Sequence, residues 1–316
     1  MDEFSLIDLL ASALGAKRGA LEGIGDDAAI LDVPEGMQLL VSTDTLVEGV
    51  HFDSRTSPAD LGYKSLAVNL SDLAAMGATP AWYFLALTLP AISEDWIRQF
   101  AQGMREMADE SGIRLAGGDT TLGPLNITVT VCGLVARGAA LTRGGACAGD
   151  VIGISGPTGL AGRALDELKA GREPDSACSA ALFRPKPRND FGCALVGLAR
   201  SCIDVSDGLL ADSGHLAEAS GLGTRIELSA LPIPEALADM SEEARWALQL
   251  SAGDDYELCF TVDPDRWGEV LERGTSLGLE PTIIGRVLER PHRVCVRPDG
   301  SEFRPPKAGY VHGAVA

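Results

Sequence analysis

Positive charge is scarce in this chain. Its 316 residues carry 26 Lys and Arg against 45 Asp and Glu, a net charge of −19. Binding a nucleic-acid backbone takes a surplus of basic residues, so nucleic acid is excluded as a partner. A nucleotide is not excluded, because bound cations reverse the local field. Cysteine is also sparse: seven residues, scattered from Cys132 to Cys295, with no CxxC pair. That odd, unpatterned set speaks against a disulfide framework or a zinc site and fits a reducing cytoplasm. Long apolar runs are missing too. The longest, around Ala81 to Leu87, is far too short to span a bilayer. The start, Met1-Asp-Glu-Phe-Ser-Leu-Ile-Asp-Leu-Leu10, lacks the basic opening and apolar core of a secretory signal. The expected protein is cytoplasmic and has no membrane partner.

Apolar residues make up 46% of the chain, enough for a sizeable core. The length suggests two domains. Strands are expected at Ala28–Val33, Gln38–Ser42, Trp82–Leu89, Arg114–Ala116 and Ile127–Val135. The last alternates Ile127, Val129, Val131, Gly133, Val135, the pattern of a strand with one buried face. Ser57-Pro58-Ala-Asp60 opens a helix that runs to Gly77. Ser93 opens another, with a stripe of Trp96, Ile97, Phe100, Met104 and Met107, stopped by Gly112. The glycine-rich stretch from Arg137 to Asp150 marks a domain boundary, giving domains 1–136 and 137–316. The second half reads as strands at Val151–Ser155, leading into Asp204, at Thr224–Leu228, Glu257–Val262, Thr282–Leu288 and Arg293–Val296, with helices from about Leu160, near Asn189–Arg200, after Asp207, near Glu242–Leu250 and at Pro264–Leu277. That order is not a clean βαβ alternation, so the fold class is α+β: a mixed sheet with helices, then an α+β domain.

Six segments set aspartate beside glycine, serine or threonine: Gly23-Ile-Gly-Asp-Asp27, Ser42-Thr-Asp44, Asn69-Leu-Ser-Asp72, Gly117-Gly-Asp-Thr120, Asp204-Val-Ser-Asp-Gly208 and Gly253-Asp-Asp255. Singly, such a motif is more often a turn or a helix cap. Asp72 resists that reading. It lies late in a helix among Leu66, Ala67, Val68, Leu70, Leu73 and Ala74, and Asn69 one turn earlier faces the same side. A buried carboxylate without a partner is expensive, and a cation resolves it. Asp44 and Asp119 each follow an apolar run. Together the six form an all-oxygen donor set suited to Mg²⁺, which is held by one or two carboxylates plus substrate phosphates. Thiolates and imidazoles are missing from the set, which disfavours zinc and copper. The spelling of an EF-hand is also missing, which disfavours a dedicated Ca²⁺ protein.

Two glycine motifs mislead. Gly23-Ile-Gly25-Asp-Asp-Ala28 spells a dinucleotide loop, but no apolar strand precedes it, and two aspartates would stand where a pyrophosphate needs N–H groups. Gly156-Pro-Thr-Gly-Leu-Ala-Gly162 has five residues between its outer glycines rather than four, and Arg163-Ala164 where a P-loop has Lys-Ser/Thr.

Read in order with their flanks, the aspartate segments resemble the thiamine-monophosphate kinase family. The carriers are Gly-Ile-Gly-Asp-Asp-Ala-Ala at 23–29, Ser-Thr-Asp-Thr-Leu-Val-Glu-Gly-Val-His-Phe at 42–52 and Asn-Leu-Ser-Asp-Leu-Ala-Ala-Met-Gly-Ala-Thr-Pro at 69–80. Gly-Gly-Asp-Thr at 117–120, Asp-Val-Ser-Asp-Gly-Leu at 204–209 and Gly-Asp-Asp-Tyr-Glu-Leu at 253–258 complete them. The wider superfamily is that of aminoimidazole ribonucleotide synthetase, with selenophosphate synthetases and hydrogenase-maturation proteins. The resemblance implies transfer of phosphate from ATP to thiamine monophosphate, a homodimer paired through the N-terminal sheet, and several Mg²⁺ ions. It implies Asp27, Ser42, Thr43, Asp44, Asp72, Asp119, Asp204 and Asp207 as metal ligands. Gly118, Asp119, Arg143 and Ser206 would contact ATP, and His51, Glu257 and Tyr310 the thiamine phosphate. No residue is expected to act as a general base. Two alternatives stand beside this reading: a sister ATP-dependent synthetase, and a non-catalytic divalent-metal binder. A selenophosphate synthetase should carry a reactive Cys or selenocysteine near its start, whereas the first cysteine here is Cys132.

Overall fold

The computed structural model describes residues 3–15 and 25–310. It divides into two compact units, one of residues up to Leu73 with Ala78–Gly138, the other of Ala74–Gly77 with the residues from Ala139 onward. The main division therefore falls after Gly138, where the sequence places it after residue 136.

In the first unit, strands β1 (Met37–Val47), β2 (Thr79–Leu89), β3 (Arg114–Leu122) and β4 (Asn126–Ala136) form one sheet in the order β1-β4-β2-β3. β4 runs antiparallel to both β1 and β2, and β2 pairs parallel with β3. The alternation read in β4 holds: Ile127, Val129 and Val131 are fully buried in the main core. The helices are α1 (Glu3–Ala13), α2 (Pro58–Ala75) and α3 (Glu94–Ser111). α2 begins as expected, the Asp60 amide donating 3.1 Å to Ser57 Oγ. α3 is capped by Ser93, carries Glu94 and Asp95 in its first turn and stops at Gly112 in the left-handed region. Its buried face holds Ile97, Phe100, Met104 and Met107.

α2 and α3 cross through two glycines. A Cβ on Gly103 would lie 1.7 Å from the Ala59 carbonyl oxygen, and one on Gly62 would lie 2.0 Å from that of Phe100. No side chain can yield there, because backbone faces backbone. Gly103→Ala should cost about 1–3 kcal/mol by overpacking. Urea unfolding reads this directly, and an unchanged midpoint would contradict the crossing.

One expected strand does not form. Residues 28–33 carry no ladder; instead Ala29 and Leu31 pack against Trp82, Ala116 and Cys132 while Ile30 points outward. The alternation is real but is satisfied by side-chain packing, without a partner strand. β1 and β3 both run past their expected ends, carrying Asp44 and Asp119 within strands rather than after them.

In the second unit, β5 (Val151–Ile154), β6 (Ser201–Asp204), β7 (Gly223–Glu227), β8 (Leu258–Val262), β9 (Thr282–Leu288), β10 (Arg293–Val296) and β11 (Glu302–Phe303) form a sheet ordered β11-β10-β7-β9-β5-β8-β6. Helices α4 (Leu160–Lys169), α5 (Ser176–Phe183), α6 (Asn189–Leu195), α7 (Leu209–Ala219), α8 (Glu242–Ser251) and α9 (Trp267–Ser276) accompany it. Alternate strand residues feed two cores. Ile152, Ile154, Ile203 and Cys259 join Leu209, Leu216, Trp246 and Leu250 from α7 and α8. Val151, Cys202, Leu258, Phe260 and Val262 join Phe191 and Leu195 from α6 and Val270 from α9. The helix expected over Asn189–Arg200 stops at Leu195, because Gly197 turns the chain at φ 75°. α5 was not expected, although Asp175 caps it, its Oδ1 accepting the Ala177 amide at 2.8 Å.

Candidate active site

In the first unit, β1 and α2 present their polar residues to each other. Ser42 Oγ donates 2.6 Å to Asp72 Oδ2, and the Asp44 amide donates 3.0 Å to Asn69 Oδ1. Asn69 is fully buried and spends its amide on the Ser65 carbonyl, so its orientation is fixed. The shared face expected for Asn69 and Asp72 is thus the face that meets β1. Asp72 is half-buried, whereas Asp27, Thr43, Asp44 and Asp119 are exposed. Thr43 belongs to a hydroxyl ladder on the other face of the sheet, 2.9 Å from Thr130, with Thr45 2.8 Å from Thr128 below it. His51 lies in the turn after β1, where its Nδ1 accepts the Val47 amide at 3.0 Å. That bond puts the ring proton on Nε2 and makes the imidazole a neutral donor.

Asp44 and Asp119 do not meet within one chain. Asp44 pairs with Val129, Val129 with Leu85 and Leu85 with Gly118, so the two aspartates stand at opposite edges of one sheet. Three strand spacings put them roughly 14 Å apart. Gly118 is tight against its neighbour: a Cβ there would lie 2.0 Å from the Leu85 carbonyl oxygen.

In the second unit, the C-terminal ends of β5 and β6 and the start of β8 converge, because β8 runs antiparallel between the other two. Asp204 ends β6 and is buried; Ser206 is exposed and Asp207 half-buried in the turn into α7. Gly253, Asp254 and Tyr256 all take positive φ, at 73°, 63° and 52°. For the two non-glycine residues this is strain of order 1–3 kcal/mol each. It is held by the Asp254 amide on the Ser206 carbonyl (2.8 Å), the Tyr256 amide on the Val205 carbonyl (2.9 Å) and the Tyr256 hydroxyl on Asp254 Oδ1 (2.6 Å). Only glycine fits at 253, since a Cβ would lie 2.3 Å from the Ser206 oxygen. Tyr310 is half-exposed, and its amide donates 2.8 Å to the Asp207 carbonyl. Arg143 is exposed on the stretch alongside β6, where the Cys202 amide bonds the Thr142 carbonyl.

Glu257 carries more than the sequence shows. It is buried, and Arg188 grips both its oxygens, Nε at 2.8 Å on Oε2 and Nη2 on Oε1, while the Ser155 hydroxyl adds a bond to Oε2. A substrate amine would therefore meet an ion pair rather than a lone acid. Arg188 was missed. Its signal was the run Arg184-Pro-Lys-Pro-Arg188, three basic residues in five within a strongly acidic chain. Asp255 is structural on one side: its Oδ1 accepts the Gly159 amide at 2.7 Å, filling the N-terminus of α4. This is why the Gly156–Gly162 turn is no P-loop; a carboxylate already sits where a phosphate would. Burial pushes the Asp255 carboxyl well above its ordinary range, and its Oδ2 is buried without a hydrogen-bond partner among the described residues. Asp212 was also missed. Burial, reinforced by the charge of Asp207, pushes it up to about 7 against the pull of three backbone amides.

Among the described residues, no three His, Cys, Asp or Glu side chains stand together as a ready-made metal cage. The oxygen ligands expected from the sequence are instead dispersed in ones and twos. That arrangement fits Mg²⁺ bound partly through substrate phosphates and does not fit a preformed Zn²⁺ or Ca²⁺ site.

Comparison with known proteins decides the affiliation. The N-terminal domain model of the AIR synthase related proteins matches residues 25–135, and the C-terminal domain model matches 148–296. A thiamine-monophosphate kinase of Escherichia coli K12 is 44% identical over 99% of this chain and 98% of its own. The chain belongs to the thiamine-monophosphate kinase family. A crystal structure of a thiamine-monophosphate kinase from Stenotrophomonas maltophilia superposes with a TM-score of 0.87 at 43% identity, covering 96% of this chain and 98% of that one. A second family structure, AaThiL complexed with AMPPCP and TMP, gives 0.77 at 30% identity, covering 98% and 97%. The likeness therefore spans both units.

Proposed function

We propose that this protein transfers the terminal phosphoryl group of ATP to thiamine monophosphate, giving ADP and thiamine diphosphate. The observation that carries this is end-to-end membership of a kinase family, one of whose structures holds AMPPCP and TMP. The acceptor is a phosphate monoester with a second pKa near ~6, already a dianion at neutral pH. It needs no base to become a nucleophile. The barrier is the repulsion between two polyanions that must meet in line, so positioning and electrostatics do the catalysis.

Asp27, Ser42, Thr43, Asp44, Asp72, Asp119, Asp204 and Asp207 are the proposed holders of Mg²⁺. Bound there, the metal would supply positive charge that offsets the repulsion between the phosphates. Gly118, Asp119, Arg143 and Ser206 are assigned to ATP; Arg143 adds a fixed positive charge. His51, Glu257 and Tyr310 are assigned to thiamine monophosphate, His51 as the neutral Nε2–H donor. Glu257 takes part as half of its pair with Arg188, and Tyr310 offers a half-exposed ring near Asp207.

The proposed working form is a homodimer. Supporting this, Leu39 and Val41 on β1 and Leu122 at the end of β3 are exposed apolar residues on the two open edges of the first sheet. Two sheets meeting β1 to β3 would bring the edge that carries Asp44 to the partner's edge that matches β3. The proposed compartment is the cytoplasm, in keeping with seven cysteines that are all free thiols.

The test is direct: incubate the folded protein with MgATP and thiamine monophosphate and separate the products. Thiamine diphosphate and ADP should appear in equal amounts. ATP turnover that requires an added amide or selenide acceptor in place of thiamine monophosphate would point to a sister synthetase; no turnover with tight divalent-metal binding would point to a non-catalytic metal binder.

A further inference from the structure

The turn Ser206-Asp207-Gly208 has six backbone polar groups, and each has a protein partner. The amides of Ser206, Asp207 and Gly208 all donate to one oxygen, Asp212 Oδ2, each at 3.1 Å. The Ser206 carbonyl accepts the Asp254 amide at 2.8 Å, and the Asp207 carbonyl accepts the Tyr310 amide at 2.8 Å. The Gly208 carbonyl accepts the Asp212 amide at 3.0 Å. Asp212 thus supplies four of the six bonds, three from its side chain and one from its own amide. It is 2% exposed, in the first turn of α7, reaching back over the start of its own helix. An ordinary N-cap side chain satisfies one or two orphan amides; here one carboxylate gathers three consecutive ones.

The consequence lies in what is left over. With all three of its amides engaged, the turn has no backbone N–H left to offer a phosphate, and the side chains of Ser206 and Asp207 are what it presents. Their direction is set by the amides Asp212 holds. We propose that Asp212 is a positioning residue for the ATP- and metal-facing turn: it touches neither ligand, and it fixes where Ser206 and Asp207 point. This rests on the assignment of those two residues to ATP and Mg²⁺.

The experiment compares Asp212→Ala, Asp212→Asn and Asp207→Asn, reading half-saturating Mg²⁺ and the KM values for MgATP and thiamine monophosphate. Asp212→Ala removes the acceptor, so half-saturating Mg²⁺ and KM for MgATP should rise roughly tenfold, while KM for thiamine monophosphate stays within about twofold. Asp212→Asn keeps an oxygen but loses its charge, so the same two parameters should rise roughly threefold. This milder variant carries the test if the alanine variant does not fold. A loss of kcat with both nucleotide parameters unchanged in a folded Asp212 variant would overturn the positioning role. So would an equal rise in all three parameters. Asp207→Asn tests the underlying assignment separately. If it leaves half-saturating Mg²⁺ unchanged, the metal reading of this turn fails. If it raises it while both Asp212 variants do not, the positioning role alone fails.

Discussion

Asp44→Asn and Asp119→Asn should each cut kcat by about a thousandfold or more, the scale on which catalytic electrostatic groups act. Both side chains are exposed, so unfolding free energies should stay within about 0.5 kcal/mol of the parent. The bond that ties β1 to α2 at this point uses the Asp44 amide, which asparagine keeps. The more informative result comes from mixing the two dead variants. Within one chain the residues stand on opposite edges of a four-stranded sheet, so in the proposed homodimer a site shared between them would draw on two protomers. After subunit exchange in an equal mixture, half the dimers are hybrids. Each hybrid has one site with both aspartates intact, and activity should return to about a quarter of the parent value. No recovery with demonstrated exchange would place the two residues in separate sites. Near-normal turnover in either single variant would remove that residue from the metal set.

The second large effect concerns stability. Glu257 and Arg188 are 7% and 22% exposed and bonded through both carboxylate oxygens. Removing one partner strands a buried charge, at a cost of about 3–5 kcal/mol. Glu257→Ala and Arg188→Ala should each lose that much in urea unfolding. The double variant should cost less than the sum by about 1–3 kcal/mol, because the stranded charge is gone. Additive losses would mean that the two do not act as a pair. In the variants that still fold, KM for thiamine monophosphate should rise with KM for MgATP unchanged; the reverse pattern would move Glu257 out of the acceptor pocket.

Much of the fold was legible because its signals are local. The Ser93 cap, the Ile97–Met107 stripe and the alternation in Ile127–Val131 are each written within a dozen residues. The shared face of Asn69 and Asp72 was legible for the same reason, as helical spacing alone puts them on one side of α2. What escaped depends on distance along the chain. Nothing near Arg188 announces a partner 69 residues away, and nothing near Asp255 announces the Gly159 amide 96 residues before it. Residues 28–33 failed for a related reason. Alternation reports burial on one face, and packing onto Trp82 satisfies it as well as a strand would. Asp212 was nearer at hand, in the helix after Asp207, but its threefold acceptance depends on the turn folding back over it. The resemblance implied a set of metal ligands, but it gave no hint that Asp44 and Asp119 stand on opposite edges of one sheet.

The glycine crossing of α2 and α3 has a bearing on inherited variation. The same α2 that passes Gly103 at Ala59 goes on to deliver Asn69 and Asp72 to β1. A methyl group added at the crossing cannot be absorbed by a side chain, so the helix itself must move, and a displacement of about 1 Å near reacting groups can cost ~100-fold in rate. A missense allele at Gly103, one of no chemistry at all, should therefore present as a catalytic lesion, and counting residues from the site would rank it as harmless.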